Sequence, residues 1–265
     1  MTYHSSVNSG ADTDDLQRLL QEIAHCPTAL GIRAGKLSPD HPCQKIVALQ
    51  TGRPFQAPEP WSGRLDTAPI LFISSNPSID IAEKYPNESW QPNLISDFFQ
   101  NRFTSSAGWV KDGIYPSLLQ GGYRYSWVRY WAAARARAAE IMNKPKRETR
   151  PGIDFALTEV VHCKSTNEHG VDDARQHCVS QYLERVLRAS QARVFVVYGS
   201  FAKLAMQDRF VSLMTDQGDG LKLFSFADRR ILICYLPAPN AFAPKSISEN
   251  IGDFGLSRIR EHLNE

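Results

Sequence analysis

Short apolar runs alternate with amphipathic segments along this chain, and the alternation becomes regular in its second half. Apolar residues recur at helical spacing within 16–23, whereas the β-branched and aromatic run 194–198 is typical of a buried strand. The pattern predicts strands at 68–74, 153–161, 194–198, 221–226 and 230–235. It predicts helices at 16–26, 92–101, 126–143, 171–189, 199–214 and 247–263. This order indicates an α/β fold with helices on both faces of one sheet.

Two stretches lack such a pattern. Residues 27–67 are rich in proline and glycine and are predicted to form an irregular connection, which begins where Pro27 ends the first helix. Residues 103–123 are rich in glycine and aromatic residues and receive no assignment.

Length and composition suit one globular domain. The chain has 265 residues, of which 42% are apolar, so we expect a single domain over 1–265 with a flexible tail at 1–12. The start of the chain lacks the basic patch and the apolar run of a signal peptide. No apolar stretch reaches the roughly 20 residues that a membrane helix needs. We therefore expect a cytoplasmic protein that is not bound to a membrane.

Positive charge is concentrated in one segment. The net charge is only +2, but residues 123–150 contain eight basic and two acidic residues, a local excess of +6. Aromatic residues are interleaved with the basic ones. Basic side chains neutralise phosphates and aromatic rings stack on bases, so this segment is a candidate DNA-binding site that includes Arg129 and Arg135. The alternative is a solvated helix whose aromatic residues lie in the core.

Four cysteines stand in two separated pairs. Without a secretory signal the thiols are expected to stay reduced, so paired cysteines favour a metal over disulfides. Four thiolates suit either a tetrahedral zinc ion or an iron–sulfur cluster. The candidate ligands are Cys26, Cys43, Cys163 and Cys178. The fifth cysteine, Cys234, lies in an apolar strand and is expected to be a small buried side chain.

Polar turns follow two of the predicted strands. Asn76-Pro77 follows 68–74, and the restricted backbone at proline would present the Asn76 amide stiffly to a water or a polar ligand. The alternative is that Asn76 only shapes the turn. Gly199-Ser200 begins a helix that also carries Lys203, and backbone N–H groups at such a start favour a phosphate. Simple capping of this helix by Ser200 is the alternative.

The loop after the last predicted strand is stiffened by Pro237, Pro239 and Pro244. Such a loop loses little entropy on binding, and Asn240 and Phe242 could enter a groove of DNA. The alternative is a surface loop held by its prolines. Ligands of α/β sheets bind beyond the carboxyl ends of the strands, so we expect these turns to converge at one edge.

In order and character these motifs resemble the uracil-DNA glycosylase superfamily over roughly residues 20–250. Ser74-Ser-Asn-Pro-Ser78 is similar to its first motif, a strand that runs into Gly-x-Asn-Pro-Gly. Thr158-Glu-Val-Val-His-Cys163, followed by a second cysteine, is similar to the Thr-Asn-Val-Val-Lys-Cys segment of the iron–sulfur branch. Val197-Tyr-Gly199 is similar to a strand ending in Leu-Gly, and Leu236-Pro-Ala-Pro239 to the last motif, His-Pro-Ser-Pro.

The resemblance implies a three-layer α/β/α sandwich with a mainly parallel central sheet. It implies a monomeric DNA glycosylase of base excision repair, which hydrolyses the N-glycosidic bond of a flipped-out deaminated or damaged base in DNA. In this comparison Asn76 holds the attacking water, Tyr85 or Trp90 stacks on the base, and Glu159 binds the base edge. Core packing is the alternative for Tyr85 and Trp90. The four cysteines would hold a structural [4Fe-4S] cluster, with zinc as the competing metal.

Two positions depart from the family's motifs, and the first cysteine pair, Cys26 and Cys43, has sixteen intervening residues where the family has two, so Cys43 as a ligand rests on the cysteine count alone. Leu236 replaces the histidine that stabilises the departing base, and leucine donates no hydrogen bond. Glu159 replaces the asparagine that reads the base edge, and an ionised carboxylate accepts but does not donate, so the preferred base is left open. Two alternatives therefore remain: a nucleic-acid-binding protein on the same fold that has lost catalysis, and a zinc-stabilised protein that binds a small nucleotide or another ligand.

Overall fold

A six-stranded sheet runs through the centre of the structure. The computed structural model describes residues 13–243 and 246–265, so the predicted tail 1–12 and Pro244 of the proline-stiffened loop lie outside the described residues. The strands are β1 (Ile70–Ser74), β2 (Leu118–Leu119), β3 (Gly122–Tyr123), β4 (Ala156–Glu159), β5 (Val194–Tyr198), β6 (Met214–Asp216), β7 (Leu221–Phe226) and β8 (Arg229–Leu236). Strands β2 and β3 form a separate antiparallel hairpin.

The sheet has the order β4-β1-β5-β8-β7-β6. Strands β4, β1, β5 and β8 are parallel, while β7 and β6 extend the β8 edge as antiparallel strands. The predicted α/β class with a mainly parallel sheet is confirmed. The next strand of the sheet after β1 is β4, which lies on one side of β1, and the strand after that, β5, lies on the other side, so the direction of the strand order reverses at β1. Ligands of open α/β sheets bind at such a reversal, beyond the carboxyl ends of the strands.

Helices connect the strands and continue beyond them. They are α1 (Thr13–Ala24), α2 (Pro27–Arg33), α3 (Gln44–Ala48), α4 (Pro92–Asn101), α5 (Arg129–Ile141), α6 (Val171–Cys178), α7 (Glu184–Ala189), α8 (Gly199–Phe210) and α9 (Ile247–Asn264). The predicted helix 171–189 is present, with a π-helical turn at Val179–Leu183 between α6 and α7. Such turns occur often at functional sites.

Apolar side chains cover both faces of the sheet because successive residues of a strand point to opposite sides. Leu71 and Ile73 of β1 belong to the larger core, which includes buried residues of α1, α6, α7 and α8. Ile70 and Phe72 belong to the smaller core, which includes buried residues of α5 and α9. Burying a side chain such as Phe72 contributes about 1.5–3 kcal/mol, so both faces stabilise the parallel strands.

The prediction of an irregular connection over 27–67 is wrong in part, because α2 and α3 lie there. Pro27 begins α2 instead of only ending α1, since proline at the first turn of a helix loses no hydrogen bond. Helices of seven and five residues are too short to show a periodic pattern. The helix predicted at 126–143 begins only at Arg129, because Val128 has an extended backbone.

Candidate functional site

The carboxyl ends of four parallel strands meet at one edge of the sheet, which we call the reaction edge. Its residues, in the order β4, β1, β5 and β8, are Glu159, Asn76, Gly199 and Pro237. Adjacent strands lie about 4.8 Å apart, so the four strand ends span roughly 14 Å. Gly199 also approaches the final loop, because a Cβ at this position would lie 3.5 Å from the Ala238 Cβ. The sheet thus gathers turns that are distant in sequence.

The turn that carries Asn76 is held on both sides by backbone hydrogen bonds. Ser165 donates its N–H to the Pro77 carbonyl at 2.9 Å, and its own carbonyl accepts from the Ile79 N–H at 3.0 Å. The half-buried Asn76 amide donates from Nδ2 to the Pro77 carbonyl at 2.9 Å. Because the amide is planar, this bond directs the Oδ1 acceptor away from Pro77. A water that donates to Oδ1 would be held at the reaction edge.

Four polar side chains meet on one face of the sheet at this edge. We call them the strand-end cluster: Ser74, Tyr130, Glu159 and Tyr198. Ser74 and Glu159 are partners in the β1–β4 register, and Tyr198 stacks on Phe72 with ring centroids 5.6 Å apart. Tyr130 reaches the cluster from α5, with its ring centroid 5.9 Å from that of Tyr198.

The strand-end cluster contains buried polar atoms without partners. Within the described residues, Glu159 Oε2 and the hydroxyls of Tyr130 and Tyr198 have no partner at hydrogen-bond geometry. Burial raises the pKa of both Glu159 and Tyr130 well above the ordinary value, and the nearby Ser74 hydroxyl opposes this effect without reversing it. Unpaired buried polar atoms are rare and indicate a place that a ligand or water completes.

The environment of Glu159 favours its neutral form. Burial raises the pKa of this carboxyl well above its ordinary value, and the nearby Glu59 carboxylate raises it further. Arg102, Lys164 and Ser74 oppose this effect without reversing it. The protonated side chain donates from its O–H and accepts at its C=O, as the side-chain amide of asparagine does. A neutral Glu159 would therefore present a donor beside an acceptor.

Replacing Glu159 with glutamine should remove a pH dependence of stability. Above the ordinary pKa of 4.5 the unfolded chain releases a proton that the folded chain keeps. The contribution of Glu159 to the free energy of unfolding therefore falls as pH rises, by up to about 1.4 kcal/mol per pH unit. Glu159→Gln is neutral at every pH and lacks this loss. Denaturant unfolding of both proteins between about pH 5 and pH 8 measures the difference.

The matched control is Glu148→Gln, at a carboxyl whose side chain is 55% exposed. This variant should follow the pH dependence of the wild type. A stability difference between wild type and Glu159→Gln that stays constant over this pH range would show that Glu159 is ionised throughout.

A buried charge network adjoins the strand-end cluster. Its members are Glu59, Glu83, Arg102 and Lys164, each at most 9% exposed. Arg102 donates from Nη1 to Glu59 at 3.1 Å and from Nη2 to Glu83 at 2.5 Å. Lys164 Nζ lies 3.8 Å from Glu83. The two carboxylates and the two cations have no net charge, so the network is neutral without Glu159. No sequence motif indicated this network, because its members come from separate segments.

Tyr85 and Trp90 lie in packed surroundings, as the alternative interpretation of these two residues held. Tyr85 is 4% exposed, and its hydroxyl donates to Glu59 at 2.8 Å. Lys164 Nζ lies 3.4 Å from the centroid of the Tyr85 ring and covers one face. Trp90 is half-buried with its ring centroid 5.3 Å from that of Trp109. The geometry does not support base stacking by either ring, because their contacts are internal.

The start of α8 lies at the reaction edge. Gly199 has φ 79°, a left-handed conformation that lets the chain turn from β5 into the helix. The N-cap is Tyr198 and makes no side-chain capping bond, so the alternative that Ser200 caps this helix is wrong. The first N–H groups of a helix lack intrahelical partners, which leaves them available to a phosphate. Lys203 is exposed on the same helix.

The loop after β8 presents an exposed tip. Leu236 ends the strand, is 4% exposed and pairs in register with Tyr198. Pro237 and Pro239 are half-buried, whereas Asn240 is exposed. Phe242 is fully exposed, at 111%. An apolar ring at the tip of a proline-stiffened loop has the form of a wedge that enters a base stack.

Several basic side chains of the segment 123–150 form ion pairs or hydrogen bonds with other parts of the fold. Arg135 is 5% exposed and donates to a backbone carbonyl at 2.9 Å, so the prediction that it contacts DNA is wrong. Arg124 and Lys144 form ion pairs with aspartates. Arg129 is exposed at the start of α5 and remains a candidate contact for a phosphate.

The four predicted metal ligands all belong to the larger core, and each is between 4% and 6% exposed. Cys26 and Cys43 are the N-caps of α2 and α3, and Cys178 ends α6. The Tyr182 hydroxyl, in the π-helical turn, donates to Cys26 Sγ at 3.5 Å. The backbone N–H of His162 interacts with the Cys178 sulfur. Such hydrogen bonds to sulfur tune iron–sulfur clusters.

Helix α3, which follows Cys43, packs closely against the start of α6, which ends at Cys178. Gly170 precedes α6 with φ 74°, and a Cβ there would lie 2.6 Å from the Ile46 backbone nitrogen. An ion pair between Lys45 and Asp173, 2.9 Å long, connects the same helices. Only glycine permits both this backbone conformation and this approach.

Burial favours the neutral form of these thiols. Burial, together with the nearby Cys26, raises the pKa of Cys43 to about 12. Burial also raises the pKa of Cys163, and the other three thiols add to this effect. The four cannot all ionise without a positive charge, which a bound metal supplies while it deprotonates them. No group of three or more His, Cys, Asp or Glu side chains within 13–243 and 246–265 is positioned to hold a metal ion. The fit therefore rests on donor chemistry and burial.

No protein-family model matches the chain, and no curated protein sequence matches it with significance. None of the helices in the described ranges combines the length and the apolar character that crossing a bilayer requires.

Proposed function

We propose that this protein is a DNA glycosylase with the three-layer α/β/α arrangement of the uracil-DNA glycosylase superfamily. The proposal rests on one observation, which is that three elements lie at the same edge of the sheet. They are the Asn76 turn after β1, the Glu159 carboxyl at the end of β4 and the loop with Phe242 after β8, and these three strands are parallel. Base excision needs these three elements together, because the enzyme must orient water, bind the base edge and fill the gap in the duplex at the same time.

The target nucleotide must leave the duplex before its glycosidic bond can be reached, at a cost of a few kcal/mol. Phe242 at the exposed loop tip would enter the gap and offset part of that cost. The N–H groups at the start of α8, with Lys203, would bind the flanking phosphate. These contacts hold the sugar at the reaction edge.

The strand-end cluster would bind the extruded base. Protonated Glu159 accepts from a ring N–H and donates to the adjacent carbonyl, a pair that uracil and hypoxanthine both present. The unpaired hydroxyls of Tyr130 and Tyr198 provide further hydrogen bonds. Asn76 Oδ1 would orient water towards C1′ of the sugar as the base departs. Leu236 donates no hydrogen bond, so the cluster must stabilise the negative charge that develops on the base.

The test is a base-release assay on oligonucleotides that contain uracil or hypoxanthine, with strand cleavage at abasic sites as the readout. We expect abasic product from at least one of these bases and none from undamaged DNA. Salt-dependent DNA binding without product from any deaminated base would instead support the alternative of a catalytically inactive DNA-binding protein, which the apolar Leu236 favours.

We further propose that the four buried cysteines hold a structural [4Fe-4S] cluster, with zinc as the alternative. Protein purified without exposure to air should be brown and should contain iron, whereas a zinc protein is colourless. Cys163→Ala should lose the colour and the metal, because it removes one of four ligands. Cys234→Ala is the matched control, since Cys234 lies in β8 in the other core, and it should keep both. A colourless, iron-free wild type would exclude the cluster.

A further inference from the structure

Exposed aromatic side chains are grouped in the segment that runs from just before β2 to the start of α5. Tyr115, Tyr125 and Trp127 are 40%, 108% and 56% exposed, and we call them the aromatic platform. The rings of Tyr115 and Trp127 stack at 25° with centroids 6.2 Å apart. A single exposed aromatic residue needs no explanation, but a group of them indicates a binding surface.

Unpaired cations lie within or beside the aromatic platform. Lys146 Nζ is 6.0 Å from the Trp127 ring centroid, within reach of a cation–π interaction. Lys111 and Arg129 are exposed in the segments that flank the platform. None of these three cations forms an ion pair in the part of the chain that the structure describes. Of the acids in these segments, Glu148 is already paired with an arginine at 3.6 Å, and Asp112 is exposed. The surface is therefore aromatic and positively charged.

The aromatic platform is fixed close to the reaction edge. Its β2–β3 hairpin is hydrogen-bonded to residues 82–84, which continue the turn after β1, at 2.9 and 3.1 Å. Arg124 adds an ion pair to Asp80 in the same segment. Trp127 also lies three residues before Tyr130 of the strand-end cluster. A nucleic-acid strand that delivers a nucleotide to the reaction edge would therefore run past the platform.

We propose that the aromatic platform binds the unpaired bases of single-stranded DNA that flank the base being removed. Aromatic rings stack on every base, whereas both faces of a base are already covered inside a duplex. The cations beside the rings complement the phosphates of the same strand. The platform thus makes single-stranded DNA the preferred substrate. This inference rests on the proposed function for the identity of the ligand, but it requires no base release.

The test is fluorescence anisotropy with an undamaged oligonucleotide, presented once as a single strand and once as a duplex. The wild type should bind the single strand more tightly. Trp127→Ala should weaken that binding about 5- to 160-fold, since stacking on one ring contributes about 1–3 kcal/mol per base. Lys146→Gln should lower the salt slope by about 0.7, the contribution of one phosphate on a single strand.

The matched control is Phe254→Ala, because Phe254 is 69% exposed on α9 and should not affect DNA binding. Equal affinities of wild type and Trp127→Ala, or tighter binding to the duplex, would overturn the proposal. So would a smaller assembly for Trp127→Ala than for wild type in size-exclusion chromatography, because a second copy of the chain would then cover the rings. If no deaminated base is released while binding still depends on Trp127, the platform stands and the proposed catalysis fails.

Discussion

Arg102→Met is expected to lower the free energy of unfolding by about 3–5 kcal/mol, a large share of the stability of an ordinary domain. The substitution leaves Glu59 and Glu83 buried with only Lys164 to balance them. An unpaired buried charge costs more than the ion pair contributed, because the carboxylates cannot recover their hydration. Denaturant unfolding of the protein as purified, followed by circular dichroism, measures the effect.

The control for this prediction is Arg185→Met. Arg185 contacts Glu22 with both guanidinium nitrogens at 2.6 and 2.7 Å, but the two side chains are 46% and 36% exposed. Exposed ion pairs contribute about 0–1 kcal/mol, so this change should have a small effect. Equal losses in the two variants would mean that burial does not strengthen the Arg102 network. Adding Glu59→Gln and Glu83→Gln to Arg102→Met should restore part of the loss, because the unpaired charges are then removed.

Asn76→Ala should reduce the rate of base release by about 100-fold, the cost of a misplaced reacting group. The alanine variant cannot accept a hydrogen bond from the attacking water. Binding of DNA should change little, because the loop after β8, the start of α8 and the aromatic platform are untouched. Single-turnover rates on a uracil- or hypoxanthine-containing strand, together with binding curves, separate the two effects.

Asn93→Ala provides the comparison, since Asn93 is exposed on α4. It should release base at the wild-type rate. An Asn76→Ala protein as active as the wild type would show that the amide only shapes its turn, which is the structural alternative for this residue. Loss of DNA binding along with activity would point to a distorted loop, given that the turn is held by hydrogen bonds to Ser165.

Stability and recognition are connected through Glu159. The buried charge network is balanced by its own two acids and two cations, so a third carboxylate nearby is unfavourable. Removing Arg102 would leave more negative charge near Glu159 and favour its neutral form still more. Besides burial, which is the largest cause, the charges of the network therefore also shift the pKa of Glu159.

Several local elements could be predicted from particular residues. Pro92 marks the start of α4, because proline is tolerated only in the first turn of a helix, and Asn101 ends it as predicted. The turn between β7 and β8 is centred on Ala227 and Asp228, both with positive φ. The run 194–198 is buried at every residue, as a central parallel strand requires.

Individual side-chain roles could not be predicted in the same way. Arg135 belongs to a basic, alanine-rich helix, and only the packing of α5 shows that its guanidinium points inward to a carbonyl. Tyr85 follows the Asn76 turn at a plausible distance for base stacking, yet a buried lysine and a carboxylate enclose it. Charge and aromatic character are visible in sequence, but the direction of a side chain depends on neighbours from other segments.

The alternation of apolar and polar residues by itself determined the five longest strands, most of the helices and hence the α/β class, because burial follows the periods of helix and strand. Tertiary structure decided which strand ends became neighbours, which cysteines share one core and which carboxyl has its pKa raised by burial. Those properties depend on distances between segments far apart in the chain, and desolvation acts only after the fold has closed around them.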